Sequence, residues 1–188
     1  MKYTPKLLDT ILKQEFETNH VDFKRGFNWH TFKDYHKTKF SKHLAAMSNI
    51  PGGGMLIFGV ADNKEVCGVS EQDIRSFDRT PVDHYISQYI DPLPKYHVMN
   101  VDYRGVQLLI IEVDEFEEIP CICKHEYEGV LRAGGVYIRH NASSMLVQRA
   151  SQMRVLIDLA VSKKKDELLT SIEEILDHKP NDDSNWGL

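Results

Sequence analysis

Glu17, Asp22 and Lys24 crowd the segment before and within HVDFK, and a further acid, Asp62, follows directly on the apolar run GMLIFGVA. Carboxylates converging from separate strands hold hard divalent cations through oxygen ligands, and a lysine beside them steadies a phosphate or a developing negative charge. Asp22 and Lys24 are two residues apart in an alternating stretch, so an extended backbone points both side chains the same way. That set is suited to breaking phosphodiester bonds. The ordinary alternative is a charged row on the wet face of a strand.

Three other groups carry chemical potential. Ala46 to Gly54 runs from a helix end through three glycines into an apolar strand, where amides can receive phosphate. No Gly-Lys-Ser/Thr follows, so this is no Walker loop, and a tight helix-to-strand turn in which Asn49 binds its own backbone explains the same letters. In YIRHN, Tyr137, Arg139 and Asn141 share one strand face, a pattern with which sheets hold single-stranded bases and phosphates; an exposed strand face is the alternative. Cys121, Cys123 and His125 also alternate. They read either as a thiolate-imidazole metal corner or as two half-buried thiols with a nearby histidine.

The 188 residues, 41% hydrophobic and 27% charged, suit one ordinary globular domain, and the formal charge of -5 argues against coating nucleic acid through bulk charge. Local charge differs from the sum. Residues 22–42 hold six lysines and arginines (Lys24, Arg25, Lys33, Lys37, Lys39, Lys42) against two acids, whereas residues 112–128 hold seven acids against Lys124 alone. An anionic partner would meet the first segment, and the acidic segment either lies over the resulting groove or merely solvates it. Three cysteines are odd in number and too few to staple the chain. Neither a secretory leader nor a membrane span is visible, so the reading is a cytoplasmic protein with no membrane partner.

The elements that must position these groups are legible as periods. Thr4-Pro5 opens a helix running to about Glu15. Residues 20–24 form a strand with Val21 and Phe23 inward, and a second helix spans Trp29 to Ile50. Residues 54–61 pair with 65–69 as a hairpin, and 71–90 make two helical pieces interrupted near Pro81. Tyr96–Tyr103 and Val106–Val113 form a hairpin across Arg104-Gly105. Cys121 to Lys124 and Gly135 to His140 are short strands, and from Ser143 the pattern is helical to about His178, broken at Lys163 to Lys165, before a frayed tail. The whole is a single α+β domain.

In order, Glu17-x4-Asp22-Phe23-Lys24, Ala45-Ala46-Met47-Ser48-Asn49, Gly52-Gly53-Gly54, Leu56-Ile57-Phe58-Gly59-Val60-Ala61-Asp62-Asn63 and Val66-Cys67-Gly68-Val69 resemble motifs of the Schlafen AlbA_2 domain family. Pro120 before a short strand, and Tyr137-Ile138-Arg139 with Asn141-Ala142-Ser143-Ser144, continue the resemblance, which covers about residues 15–155. It implies one Schlafen AlbA_2-like lobe over residues 1–160, a mixed β-sheet flanked by helices, followed by a C-terminal helix and tail over 161–188. It implies nucleic-acid binding and a metal-dependent endoribonuclease acting on structured RNA such as tRNA, with a non-catalytic DNA- or RNA-binding regulatory domain as the alternative. Glu17, Asp22 and Asp62 match the metal-binding acids for Mg²⁺ or Mn²⁺, and Lys24 matches the motif's catalytic lysine. Arg25, Lys33, Lys37, Lys39, Tyr137 and Arg139 would hold the nucleic acid, RNA before DNA. Since Schlafen cores pair two lobes, a one-lobe chain implies a homodimer.

Overall fold

The computed structural model describes residues 5–13 and 18–177, which leaves the Thr4 cap, the helix end at Glu15, the acid Glu17 and the C-terminal tail outside the described residues. Its elements are α1 (Pro5–Leu12), β1 (Val21–Lys24), α2 (Asp34–Ser48), β2 (Gly54–Phe58), α3 (Glu71–Arg75), α4 (Arg79–Tyr89), β3 (Ile90–Asp91), β4 (Tyr96–Tyr103), β5 (Val106–Val113), β6 (Ile122–Cys123), β7 (Tyr137–His140), β8 (Ser143–Leu146) and α5 (Ala150–Asp177). The fold is α+β. A mixed sheet in the order β1-β2-β5-β4 has β1 parallel to β2 and its other neighbours antiparallel, and two short ribbons, β3-β6 and β7-β8, stand apart from it.

Apolar cover on both faces of this sheet explains why its central strands read as continuous apolar runs. Leu56 and Phe58 of β2, with Leu109, Ile111 and Val113 of β5, join the α2 and α4 side chains in the larger core. The alternate residues Ile57, Leu108 and Ile110 meet Leu8 and Ile11 of α1 on the opposite face. β1 obeys the same period: Val21 and Phe23 enter the α1 core, which turns Asp22 and Lys24 towards α2.

The β4-β5 hairpin closes across Arg104-Gly105 as its spacing predicts, with both turn residues at positive φ. The helical break near Pro81 falls upstream of it, because Asp78 caps α4 through the Thr80 amide and Pro81 lies in the first turn, where its missing N–H costs nothing. Three sequence expectations change. β2 pairs with β1 and β5, and the predicted return strand after Asp62-Asn63 reduces to one bridge, Val60 to Val66. Ser143 to Leu146 is strand β8, not helix, since it completes a hairpin with β7. Finally, α5 runs unbroken through Lys163 to Lys165, where Lys163 pairs with Glu115 and Lys164 with Glu167.

The glycine loop is a structural turn. A Cβ on Gly53 would lie 2.1 Å from the Val113 carbonyl oxygen, so only glycine lets β2 start there, and the Gly52 amide donates to the Glu115 carboxylate. Asn49, expected to bind locally, instead ties distant segments together. Its amide donates to the carbonyls of Cys121 (2.8 Å) and Tyr137 (2.9 Å), and its Oδ1 accepts from the Cys121 amide (2.7 Å), all in the buried interior. Asn49→Ala strands three backbone groups and is expected to cost about 3 kcal/mol, read as a lower urea midpoint at unchanged slope.

Candidate functional site

The site grows from the end of β1. Register places Asp22 beside Leu56 and Lys24 beside Phe58, both on the α2 side. The face expected to be wet is roofed by α2 and the β7-β8 hairpin, and Asp22 is 1% exposed. Its carboxylate accepts from Lys24 and, at 3.3 Å, from Nη1 of Arg139, whose side chain is fully buried. This corrects the reading of Arg139 as a phosphate contact: it braces β7 against β1 from inside. Tyr137 is corrected likewise. Its ring is buried, its hydroxyl accepts from the Arg132 amide, and the side of β7 expected to stack bases faces inward.

His43, on α2, completes the cluster. Its Nδ1 lies 3.0 Å from Ser144 Oγ, 3.3 Å from Arg139 Nη1 and 3.4 Å from Asp22 Oδ2. Burial is the chief influence and outweighs the attraction of Asp22, so the imidazole pKa falls to about 3 and the ring is neutral at physiological pH. Nδ1 thus faces a group that can only donate, Arg139 Nη1, and one that can only accept, Asp22 Oδ2, while the Ser144 hydroxyl can do either. In ¹H–¹⁵N spectra His43 is expected to stay neutral from pH 8 down to pH 5. Because the folded pKa lies below the unfolded value, the unfolded state takes up more protons between about pH 6.5 and 3, and His43 lowers stability as the pH falls through that window.

Above the cluster opens a cleft of about 530 Å³, the size of a nucleotide pocket. Lys24 and Arg25 come from the end of β1. Helical spacing brings His36, Lys39 and His43 to one face of α2, with Lys42 beside them, and Ser143 and Ser144 form the opposing wall. The β7-β8 turn that carries the serines has Asn141 (φ 47°) and Ala142 (φ 60°) both left-handed, as a two-residue hairpin requires. No described residue lining the cleft is acidic, and its floor includes Phe32, Phe40 and Phe58. Burial, and then the neighbouring charge of Lys39, pulls the Lys42 ammonium below the usual lysine range. A cationic group held down by desolvation and a like charge gains from an incoming anion.

Lys24, Arg25 and Lys39 of the predicted set therefore line one cleft, joined by Lys42, His36, Ser143 and Ser144. The shared helix face of His36, Lys39 and His43 was the available signal for these additions. Lys33 precedes α2 and Lys37 lies over the rings of Trp29 and Tyr85, 5.2 and 5.6 Å from their centroids, so neither lines the cleft. Asp62 is exposed in the turn after β2. Among the described residues no group of three His, Cys, Asp or Glu side chains could hold a metal ion. Cys121 and Cys123 are buried, and desolvation pushes their thiols up to about 11 and about 12, so both are protonated at neutral pH. The acidic segment faces elsewhere: Glu115 pairs with Lys163 of α5 (2.6 Å), and none of residues 112–118 lines the cleft.

A mixed sheet whose roofing helix and hairpin frame a cationic cleft, with no acid among its described lining residues, defines an α+β domain. The chain matches the Schlafen, AlbA_2 family model over residues 17–148 and belongs to that family. Among solved structures it resembles the DIP2311 protein from Corynebacterium diphtheriae at 22% identity and a TM-score of 0.51, covering 78% of this chain and 27% of that one. This chain thus spans about a quarter of that protein's length. It also resembles the N-terminal domain of an ATP-dependent DNA helicase RecG-related protein from Nitrosomonas europaea at 18% identity and a TM-score of 0.43, over 80% of this chain and 97% of that one. No curated protein sequence matches it. No helix among the described residues is long and apolar enough to cross a membrane.

Proposed function

We propose that this domain binds nucleic acid through the cleft between β1, α2 and the β7-β8 turn, with RNA the favoured ligand and DNA the second. One observation carries the reading: Lys24, Arg25, Lys39 and Lys42 converge on a nucleotide-sized cleft with no acid among its described lining residues. Membership of the AlbA_2 family supports it. Phe32 and His36, 5.8 Å apart between ring centroids, offer apolar surface to an unstacked base, which single-stranded or looped RNA presents. The test is fluorescence anisotropy with tRNA, single-stranded RNA, and single- and double-stranded DNA over a salt series. Three to four phosphate contacts give a log–log salt slope of roughly -2 to -3 on single strands. Salt-independent binding, or none, refutes the proposal.

Contact between Asp22 and Lys24 at the cleft wall favours a second reading, metal-dependent endoribonuclease action through Glu17, Asp22 and Asp62. The described residues do not by themselves fit Mg²⁺ or Mn²⁺, since Asp22 is already engaged by two cationic side chains and Asp62 lies in an exposed turn. Incubating tRNA with the protein and Mn²⁺, against EDTA and an Asp62→Ala variant, decides it. Cutting that requires both the metal and Asp62 supports the enzyme, and binding without cutting leaves the binding module.

A further inference from the structure

Large apolar side chains are exposed along the length of α5. Met153, Val155, Ile157, Val161, Leu168, Leu169, Ile172, Ile175 and Leu176 are each between 38% and 73% exposed. Beside the first of them runs a groove of about 400 Å³ between α5 and the Pro120, Ile122 and Val136 side chains, with Asp91 its one polar lining residue. A soluble helix normally buries such a stripe.

The spacing of the stripe names its occupant. Along α5 the apolar positions 153, 157, 160 and 161 are separated by 4, 3 and 1, and positions 168, 169, 172 and 176 by 1, 3 and 4. These eight positions pair about the midpoint between Lys164 and Lys165, and Val155 and Ile175 fall outside the pairing, opposite Glu174 and Arg154. We propose that α5 pairs antiparallel with α5 of a second copy, placing Met153 against Leu176, Ile157 against Ile172, Ala160 against Leu169 and Val161 against Leu168. The tip of each helix then fills the groove of the other copy, and the contact closes as a two-fold dimer.

Charge selects the same orientation. Lys163, Lys164 and Lys165 lie towards the middle of α5, and Glu173, Glu174 and Asp177 lie at its end. A parallel pair would stack like charge on like along the helices, whereas the antiparallel register sets Glu173 and Glu174 opposite Leu156 and Val155. Lys164 and Lys165 meet at the axis; Lys164 already holds Glu167 at 2.6 Å, and long lysine stems keep their heads in water. Sixteen half-exposed apolar side chains at roughly 60 Å² each remove on the order of 1,000 Å², the scale of a specific interface. This surface is separate from the cationic cleft, so the proposal stands or falls apart from nucleic-acid binding.

Sedimentation of the full chain without nucleic acid, from about 1 to 100 μM, is expected to show a reversible dimer. Ile172→Glu, at a position exposed in the single chain, is expected to weaken it by at least about 100-fold while the far-UV melt stays unchanged. Register is read by a short bis-maleimide in a Cys67→Ser background, where the remaining thiols are buried. There Ile157→Cys with Ile172→Cys links two chains, and Ile172→Cys alone does not. A wild-type monomer throughout, a dimer indifferent to Ile172→Glu, or efficient linking by Ile172→Cys alone overturns the proposal.

Discussion

Asp22→Asn is expected to lose roughly 3 to 5 kcal/mol of unfolding free energy, because the change keeps the side-chain shape but takes the counter-charge from a guanidinium wholly out of water. Lys24, at 38% side-chain exposure, can turn to solvent, whereas Arg139 at 0% cannot. The cost therefore falls on the Arg139 pairing, which joins β1 to β7 across 117 residues of chain. Arg139→Met should be less damaging in the Asp22→Asn background than alone, giving a coupling of more than about 1 kcal/mol in a double-mutant cycle. Urea unfolding of the four proteins measures it. An Asp22→Asn midpoint within error of wild type would mean that the pair does not hold the hairpin over the sheet. A loss of activity in an Asp22 variant has a folding cause to exclude before a chemical one, which is why the nuclease test above uses the exposed Asp62.

The second large effect concerns affinity. Arg25→Ala, Lys39→Ala and Lys42→Ala combined should weaken RNA binding by about 10² to 10³ near physiological salt and flatten the single-strand salt slope by about 2, since each removed phosphate contact takes its counterion release with it. The comparison is Lys33→Ala with Lys37→Ala. It removes two charges, against three, from the same segment but outside the cleft, and should change affinity by less than about threefold. Lys37 also contacts two aromatic rings, worth about 0.5 to 1 kcal/mol, so that variant is melted before its binding is read. Equal losses from both variants would mean that diffuse charge of the segment, and not the cleft, attracts the ligand.

Local pattern carried much of this protein. Two β-rich runs across Arg104-Gly105 predicted the β4-β5 hairpin, the apolar run from Gly54 predicted strand β2, and Pro51 with the glycines predicted where α2 must stop. The common side of Asp22 and Lys24 was also legible, because side-chain direction in a strand follows from backbone period alone. What covers that side was not. A period of two says which residues share a face and nothing about whether water or a helix meets it, so Asp22 and Arg139 became a buried pair only when α2 and the β7-β8 hairpin closed over β1. The same limit applies to Asn49, whose partners lie 72 and 88 residues away. It applies to Ser143 to Leu146, where a ladder with β7 overrides a helix-like pattern. The cleft itself joins the end of a strand, one face of a helix and a hairpin turn, and these meet only through packing between segments far apart in the chain.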